Sequence, residues 1–291
     1  MNPTDKNYRL FCFGYGYVAA AFAETIKQDS WRCAGTCRGE ERCHILGAHD
    51  VEMYRMARGY PLQKGNEALA SATHILVSIP PDCMGDTVLD LHGSDLELLN
   101  RIEWIGYLST TNVYGNRDGH WVDESTPVHP TSERGRRRAD AESKWLALGR
   151  RTGLPVHIFR LAGIYGPNRN LIARLRAGSA RRIRKEGQVF GRIHIDDIVA
   201  TLRASIEQPT PGEVYNVTDD EPAPPDAVVA YAAQLLGEEP PPLEFFESAE
   251  MSAMAQTFYT ENKRVSNNRI KKELGVALKY PNYRLGLCDL L

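Results

Sequence analysis

The sequence predicts an α/β protein: a doubly wound parallel sheet with a smaller C-terminal α+β lobe. Three observations carry the prediction. Phe13-Gly14-Tyr15-Gly16-Tyr17-Val18-Ala19 joins an apolar run, Leu10 to Phe13, to an alanine-rich stretch. Apolar runs alternate with helical stretches through the first half of the chain. One of those runs, Thr73-His74-Ile75-Leu76-Val77-Ser78-Ile79, shows no polar alternation, as a strand buried on both faces should. Strand and helix in alternation argue for a parallel sheet.

The glycine turn has the G-x-G-x-x-A form of a dinucleotide fingerprint. Gly14 permits the sharp turn. Gly16 has no Cβ, so backbone can approach a pyrophosphate. Ala19 lets the helix pack close to the strand. The helix over 18–26 offers unpaired N–H groups and a positive dipole end, with Tyr17 and Val18 in its first turn. The next strand, 31–37, ends at Thr36-Cys37-Arg38. An acidic residue there would bond the ribose hydroxyls of NAD. The nearest acids are Glu40 and Glu41, so Arg38 favours the 2′-phosphate of NADP over NAD.

Further along, the pattern predicts a strand at 51–54, a helix at 65–70 and a buried strand at 73–79. Ser78, Ile79 and Pro80 close that strand and are expected on the adenine and ribose side of the cofactor. A strand at 104–108, a long helix at 132–152 and a strand at 156–161 follow. Helices are expected at 198–206, 226–236 and 266–274. Residues 1–165, completed by about 194–217, form the expected cofactor domain, and 166–193 with 218–291 the substrate lobe. Ligands of such sheets bind beyond the C-terminal strand ends.

Bulk properties bound the function. The chain has 291 residues, 42% hydrophobic and 25% charged, with net charge −2. That composition is of the ordinary globular kind and does not call for a polyanion partner. The arginine runs at 134–138 and 181–184 read as a solvated helix face or an anion-binding rim, not as a nucleic-acid module. No apolar stretch reaches membrane length, and the N-terminal residues lack a signal-peptide core. Cys33, Cys37, Cys43 and His44 cluster, but their spacing fits no zinc pattern. Reduced thiols and a cytoplasmic location are therefore expected, with no metal.

Five motifs in order resemble the extended short-chain dehydrogenase/reductase family, the nucleotide-sugar epimerase and dehydratase group. Besides the glycine turn, these are Leu108-Ser109-Thr110-Thr111-Asn112-Val113-Tyr114-Gly115 with Val122, Asp123, Glu124 and Pro127; Arg160-Leu161-Ala162-Gly163-Ile164-Tyr165-Gly166-Pro167; Arg192-Ile193-His194-Ile195-Asp196-Asp197; and Val214-Tyr215-Asn216-Val217. The resemblance implies a Rossmann fold and a nicotinamide cofactor, with Ser109, Leu161 and Ala162 beside it. It also implies a small-molecule substrate and a homodimer formed through the long helix.

The family's chemistry uses a Tyr and a Lys four residues later, with an upstream Ser or Thr on the reacting oxygen. Thr110 fills the upstream position. Setting Glu142 on the family's glutamate puts Arg138 at the Lys position and Arg134 at the Tyr position. Arginine cannot shuttle a proton near neutral pH, though Arg138 could clamp a ribose or phosphate. Lys144 has Asp140, not Tyr, four residues before it. The dehydratase Asp-Glu pair is replaced by Thr111 and Asn112, so sugar dehydration by that route is not expected. The pattern is nearest the atypical subgroups with a degraded tetrad. Tyr114 is a candidate acid/base, read alternatively as a packing residue, and Asp140 or water are the other candidates. His194 reads as a structural residue beside Asp196 and Asp197. Two functions fit: an NADP-dependent oxidoreductase or epimerase-like enzyme on a small polar, sugar- or nucleotide-linked substrate, or an inactive NADP(H)-binding sensor.

Overall fold

The computed structural model describes residues 8–47 and 51–291; the polar segment 1–7 lies outside them. In chain order the elements are β1 (Arg9–Phe13), α1 (Tyr17–Lys27), β2 (Arg32–Cys37), α2 (Glu40–Gly47), β3 (Glu52–Arg55), α3 (Gly65–Leu69), β4 (His74–Val77), α4 (Thr87–Glu97), β5 (Trp104–Thr110), β6 (Trp121–Val122), α5 (Glu133–Thr152), β7 (Val156–Leu161), β8 (Gly163–Tyr165), α6 (Leu171–Arg176) and β9 (Arg182–Arg184). There follow β10 (Arg192–His194), α7 (Ile195–Glu207), β11 (Val214–Val217), α8 (Pro225–Leu236), β12 (Leu243–Phe245), α9 (Ala253–Tyr259), β13 (Arg264–Val265), α10 (Asn268–Glu273) and α11 (Tyr283–Cys288). The chain divides into two compact units. Of the described residues, one holds 8–47, 51–109, 137–159 and 202–214; the other holds 110–136, 160–201 and 215–291.

The large sheet has seven strands in the order β11-β7-β5-β4-β1-β2-β3. This is a Rossmann-type α/β fold, as expected. The order reverses between β1 and β4, which pair in parallel with Leu10 opposite His74. β1 also pairs in parallel with β2, Leu10 opposite Cys33. Every residue of β1 and of β4 is buried, which explains the apolar runs Leu10–Phe13 and Ile75–Val77 within them.

In the first unit one sheet face carries Phe11, Phe13, Ile75, Val77, Ile105 and Tyr107 against Trp145 and Leu148 of α5. Trp145 is fully buried and gives its Nε1 proton to Asp86, the residue that caps α4. Removing an aromatic side chain of that size from a core costs about 3–5 kcal/mol. Trp104 on the other face stacks near Phe22, His157 and Phe159, and donates to Ser205 Oγ.

The second unit contains three parallel two-stranded ribbons: β8 with β10, β9 with β12, and β6 with β13. Its core joins Ile172 and Leu175 of α6, Val228, Val229 and Ala232 of α8, and Tyr283 and Leu287 of α11.

The expected elements all occur, with ends shifted by a few residues. Five helices were not anticipated: α2, α4, α6, α9 and α11. α2 buries no side chain, so it has no apolar stripe to read. α4 carries Asp90, Gly93 and Asp95 among its apolar residues, which blurs the helical period. The thiols also depart from expectation. Cys37 and Cys43 come together with their Cα atoms 5.7 Å apart, paired as a disulfide instead of standing reduced. That separation is within the normal range for a cystine. No helix among the described residues is long and apolar enough to cross a membrane.

His157 in β7 is fully buried, and burial pushes its imidazole down to about pKa 4. The folded state therefore disfavours the protonated ring. Its contribution is complete above the ordinary value near 6.5 and is lost as pH falls toward 4. Denaturant unfolding at pH 7.5 and pH 4.5 should show the wild type losing about 2 kcal/mol more than His157→Leu across that interval. Equal losses in both proteins would refute the assignment.

Candidate functional site

The first unit has a cavity of about 530 Å³ at the C-terminal ends of β1, β2 and β4. The glycine turn forms its floor. Gly14 N–H donates to Thr36 Oγ1 at 2.8 Å, and Ser78 Oγ donates back to the Gly14 carbonyl. Gly14 has φ +88°, and a Cβ there would lie 2.8 Å from Ile79 and 2.9 Å from Ser78 Oγ. Only glycine meets both demands. Gly16 differs: a Cβ there would meet nothing within 4 Å, because the space above it is open. Gly16 is also the N-cap of α1, and no side chain caps the helix or places an acid in its first turn. The first N–H groups of an 11-residue helix thus face that opening unneutralised.

Thr36, Arg38, Ser78, Ile79 and Pro80 line this cavity, together with Tyr15, Arg42 and Arg58. Arg58 is held by Asp82 and Asp90. Arg38 and Arg42 are exposed on the rim with no ion pair among the described residues. Arg42 escaped the sequence reading because it sits in the first turn of the unanticipated α2. Tyr17 and Val18 open α1 without lining the cavity, and Val18 is buried.

The second unit has a cavity of about 440 Å³ whose polar lining includes Thr110, Thr111, Asn112, Arg192, Glu261 and Lys263. Leu161, Ala162, Ile164 and Val189 supply apolar wall. Thr110 closes β5, and its hydroxyl accepts the Asn112 N–H, capping a short 3-10 turn over Thr111–Tyr114. Phe190, Arg192, Tyr165 and Tyr259 are shared with a second cavity of about 480 Å³, which adds Arg174 and Arg181. Arg192 gives its Nη1 to the carbonyls of Phe190 and Ala223. Burial lowers its pKa, and the nearby Asp219 opposes that. Asp219 itself is pushed up to about 8 by burial.

The remaining expected residues lie elsewhere. Tyr114 is fully buried; its hydroxyl donates to Asn216 Oδ1 and accepts from Arg160 Nη1, whose guanidinium also covers the ring. It lines neither cavity. Arg138 is buried in the first unit, its Nη1 given to Tyr107 Oη and the Leu108 carbonyl. Ser109 is buried and bonded to Glu142. Arg134 is exposed, and Asp140 is exposed in a bridge with Lys144. His194 accepts from the Asp196 N–H and lies between Tyr165 and Tyr280.

Glu261 and Lys263 were missed by sequence reasoning. They sit in a short charged segment that reads as surface, yet both are buried and paired at 2.7 Å. Their partners, Thr131 and Gly115, lie about 130 and 148 residues upstream, beyond any local pattern.

Comparison with known proteins agrees with this geometry. The profile of the NAD dependent epimerase/dehydratase family matches residues 96–218. The chain is 29% identical to Protein YeeZ of Escherichia coli (strain K12) over 282 residues, covering 92% of this chain and 95% of that one. A functionally unknown conserved protein from Silicibacter pomeroyi DSS shares 47% identity with TM-score 0.88 over 97% of this chain and 98% of its own. The dTDP-glucose 4,6-dehydratase of Bacillus anthracis str. Ames, solved with NAD, superposes with TM-score 0.76 at 17% identity, over 97% of this chain and 94% of that one, a likeness of fold alone. The motif order and the sheet thus agree with the NAD dependent epimerase/dehydratase profile that matches residues 96–218, and the chain is similar to that family.

Proposed function

We propose that the protein is an NADP-dependent oxidoreductase or epimerase-like enzyme acting on a hydroxyl of a small polar, sugar- or nucleotide-linked substrate. The observation that carries this is the cavity at the sheet's switch point. Its open space over Gly16, its uncapped helix N-terminus and its two rim arginines fit a dinucleotide with a third phosphate. Gly14, Gly16 and the first turn of α1 would hold the pyrophosphate. Thr36, Ser78, Ile79 and Pro80 would take the adenosine half. Arg38 and Arg42 would clamp the 2′-phosphate in the bidentate way suited to guanidinium. The nicotinamide would supply or accept the hydride.

The cavity lined by Thr110 would take the substrate. Thr110 would hydrogen-bond the reacting oxygen, and Ser109 and Arg138 would brace the strand that carries it. Arg174, Arg181 and Arg192 suit an anionic group such as a diphosphate, and Phe190 and Tyr259 suit a planar ring. The fold relative solved with NAD acts on a sugar nucleotide by name, which agrees with this class.

One observation favours a second reading, a cofactor-sensing protein without turnover. The family's Tyr and Lys positions hold Arg134, which is exposed, and Arg138, whose Nη1 is spent on Tyr107 and Leu108. Steady turnover of any hydroxylated substrate excludes it.

Fluorescence titration with NADPH and NADH tests the cofactor. The wild type should prefer NADPH. An Arg38→Ala, Arg42→Ala double variant should lose NADPH affinity by about tenfold or more and leave NADH little changed. A preference for NADH would overturn the 2′-phosphate assignment. The two glycines separate architecture from binding. Gly16→Val should melt near the wild type and lose dinucleotide affinity by roughly 100-fold, because the added carbons enter only the phosphate space. Gly14→Val should fail to fold stably.

A further inference from the structure

The enzymatic reading leaves open which group moves the proton, since the family's Tyr is absent. We propose that the Lys263 ammonium is the acid/base that exchanges a proton with the substrate oxygen, and that Glu261 is its positioning residue. This rests on the enzymatic reading given above.

The argument begins with position. Lys263 and Glu261 line the same cavity as Thr110, the residue expected to hold the reacting oxygen. Lys263 Nζ donates to the Gly115 carbonyl at 3.0 Å and to Glu261 Oε2 at 2.7 Å. An ammonium has three N–H groups. Those two bonds leave one for a ligand. Glu261 is fixed in turn, its Oε1 accepting from the Thr131 hydroxyl at 3.0 Å. A buried carboxylate and a buried ammonium so arranged form a rigid pair in the lining of the cavity.

The other titratable groups do not serve. Tyr114 has its hydroxyl engaged twice and lies outside the cavity. Asp140 is bridged to Lys144 on an exposed helix face. Tyr165 and Tyr259 line the cavity, but burial drives both phenols upward, away from neutrality. Arg192 stays a cation under any working condition. Lys263 moves the useful way. Burial lowers it, Arg117 acts in the same direction, and Glu261 opposes them. An acid/base works best with its pKa near the working pH, and lysine reaches that range when desolvated.

The proton balance closes. As a substrate carbonyl carbon gains hydride, the C=O electron pair moves to oxygen, and that oxygen takes a proton from Lys263 Nζ. The products are the alcohol and a neutral amine, which regains a proton from water. In oxidation the neutral amine takes the hydroxyl proton as the hydride leaves carbon.

Two measurements on the full chain test this. In the first, competitive acetylation with acetic anhydride from roughly pH 7 to 11 is read lysine by lysine by mass spectrometry. Lys263 should reach half-labelling at least about one pH unit below exposed Lys64, and Glu261→Gln should lower it further. Half-labelling together with Lys64, or no labelling at any pH, overturns the proposal. In the second, turnover is followed with oxidised NADP or NAD and a panel of hydroxylated substrates led by UDP-glucose and dTDP-glucose. Lys263→Arg keeps the ion pair but releases no proton, so kcat should fall by roughly 10²–10⁴-fold with KM nearly unchanged. A Glu261→Gln, Lys263→Met double variant, which strands no buried charge, should fall equally. Wild-type turnover that survives these changes overturns this assignment alone. A wild type inert toward the whole panel overturns the enzymatic reading and this assignment with it.

Discussion

The Gly14 amide gives its proton to Thr36 Oγ1, and the Ser78 hydroxyl gives its proton to the Gly14 carbonyl. These two bonds tie the ends of β1, β2 and β4 at one residue. The sheet order reverses between β1 and β4, so the chain leaves the two strands toward opposite faces and a crevice opens between them. The tie holds that crevice at fixed width. It also explains why Gly14 has no substitute, since its positive φ and its contact with Ile79 both follow from the same closure. Gly16, two residues on, carries no such burden. Its missing Cβ leaves room instead of relieving strain. One short motif thus contains one glycine for the protein and one for a ligand.

A second constraint organises the other unit. Tyr114 follows Thr110 through a single 3-10 turn and is pinned by Arg160 and Asn216. Asn216 also receives support from Glu124, whose carboxylate takes its backbone N–H. Three motifs that look separate in sequence, V-Y-G, E-x-x-P and x-Y-N-V, therefore meet at one buried hydroxyl. Neutral phenol under a guanidinium is a good structural arrangement: the ring covers the cation, and the oxygen accepts from it. Removing Tyr114 would take a buried partner from both Arg160 and Asn216, which is reason enough for its place without a chemical role.

The sheet was legible because its strands are buried on both faces, and such runs survive without any alignment. The glycine turn was legible because its two glycines sit at a strand end and a helix start. α2 was not, since a helix that buries nothing has no periodic signature. With it went Arg42, whose place beside Arg38 depends on that helix turn. The Cys37–Cys43 pairing was hidden for the same reason, because the turn after β2 brings the two thiols together. Arg138 could be aligned from sequence, but its direction could not. Its packing against Tyr107 is a choice among rotamers that no motif records. Glu261 and Lys263 are the sharpest case. Charged residues are seldom fully buried unless paired, so a charged loop reads by default as surface. Only the fold shows that this one folds inward.

The arginines at the dyad positions fit this picture. A lysine at position 138 could share a proton with a neighbouring phenol, because its pKa responds to burial. A guanidinium stays charged, and its planar fork suits fixed partners such as Tyr107 Oη and the Leu108 carbonyl. Replacing Lys by Arg thus converts a group that moves protons into one that braces the end of β5. Such a change is tolerable in an enzyme only if proton transfer has moved elsewhere. The buried Lys263 ammonium, which lines the same cavity as Thr110, has the remaining N–H, the depressed basicity and the fixed carboxylate that such a transfer of duty requires.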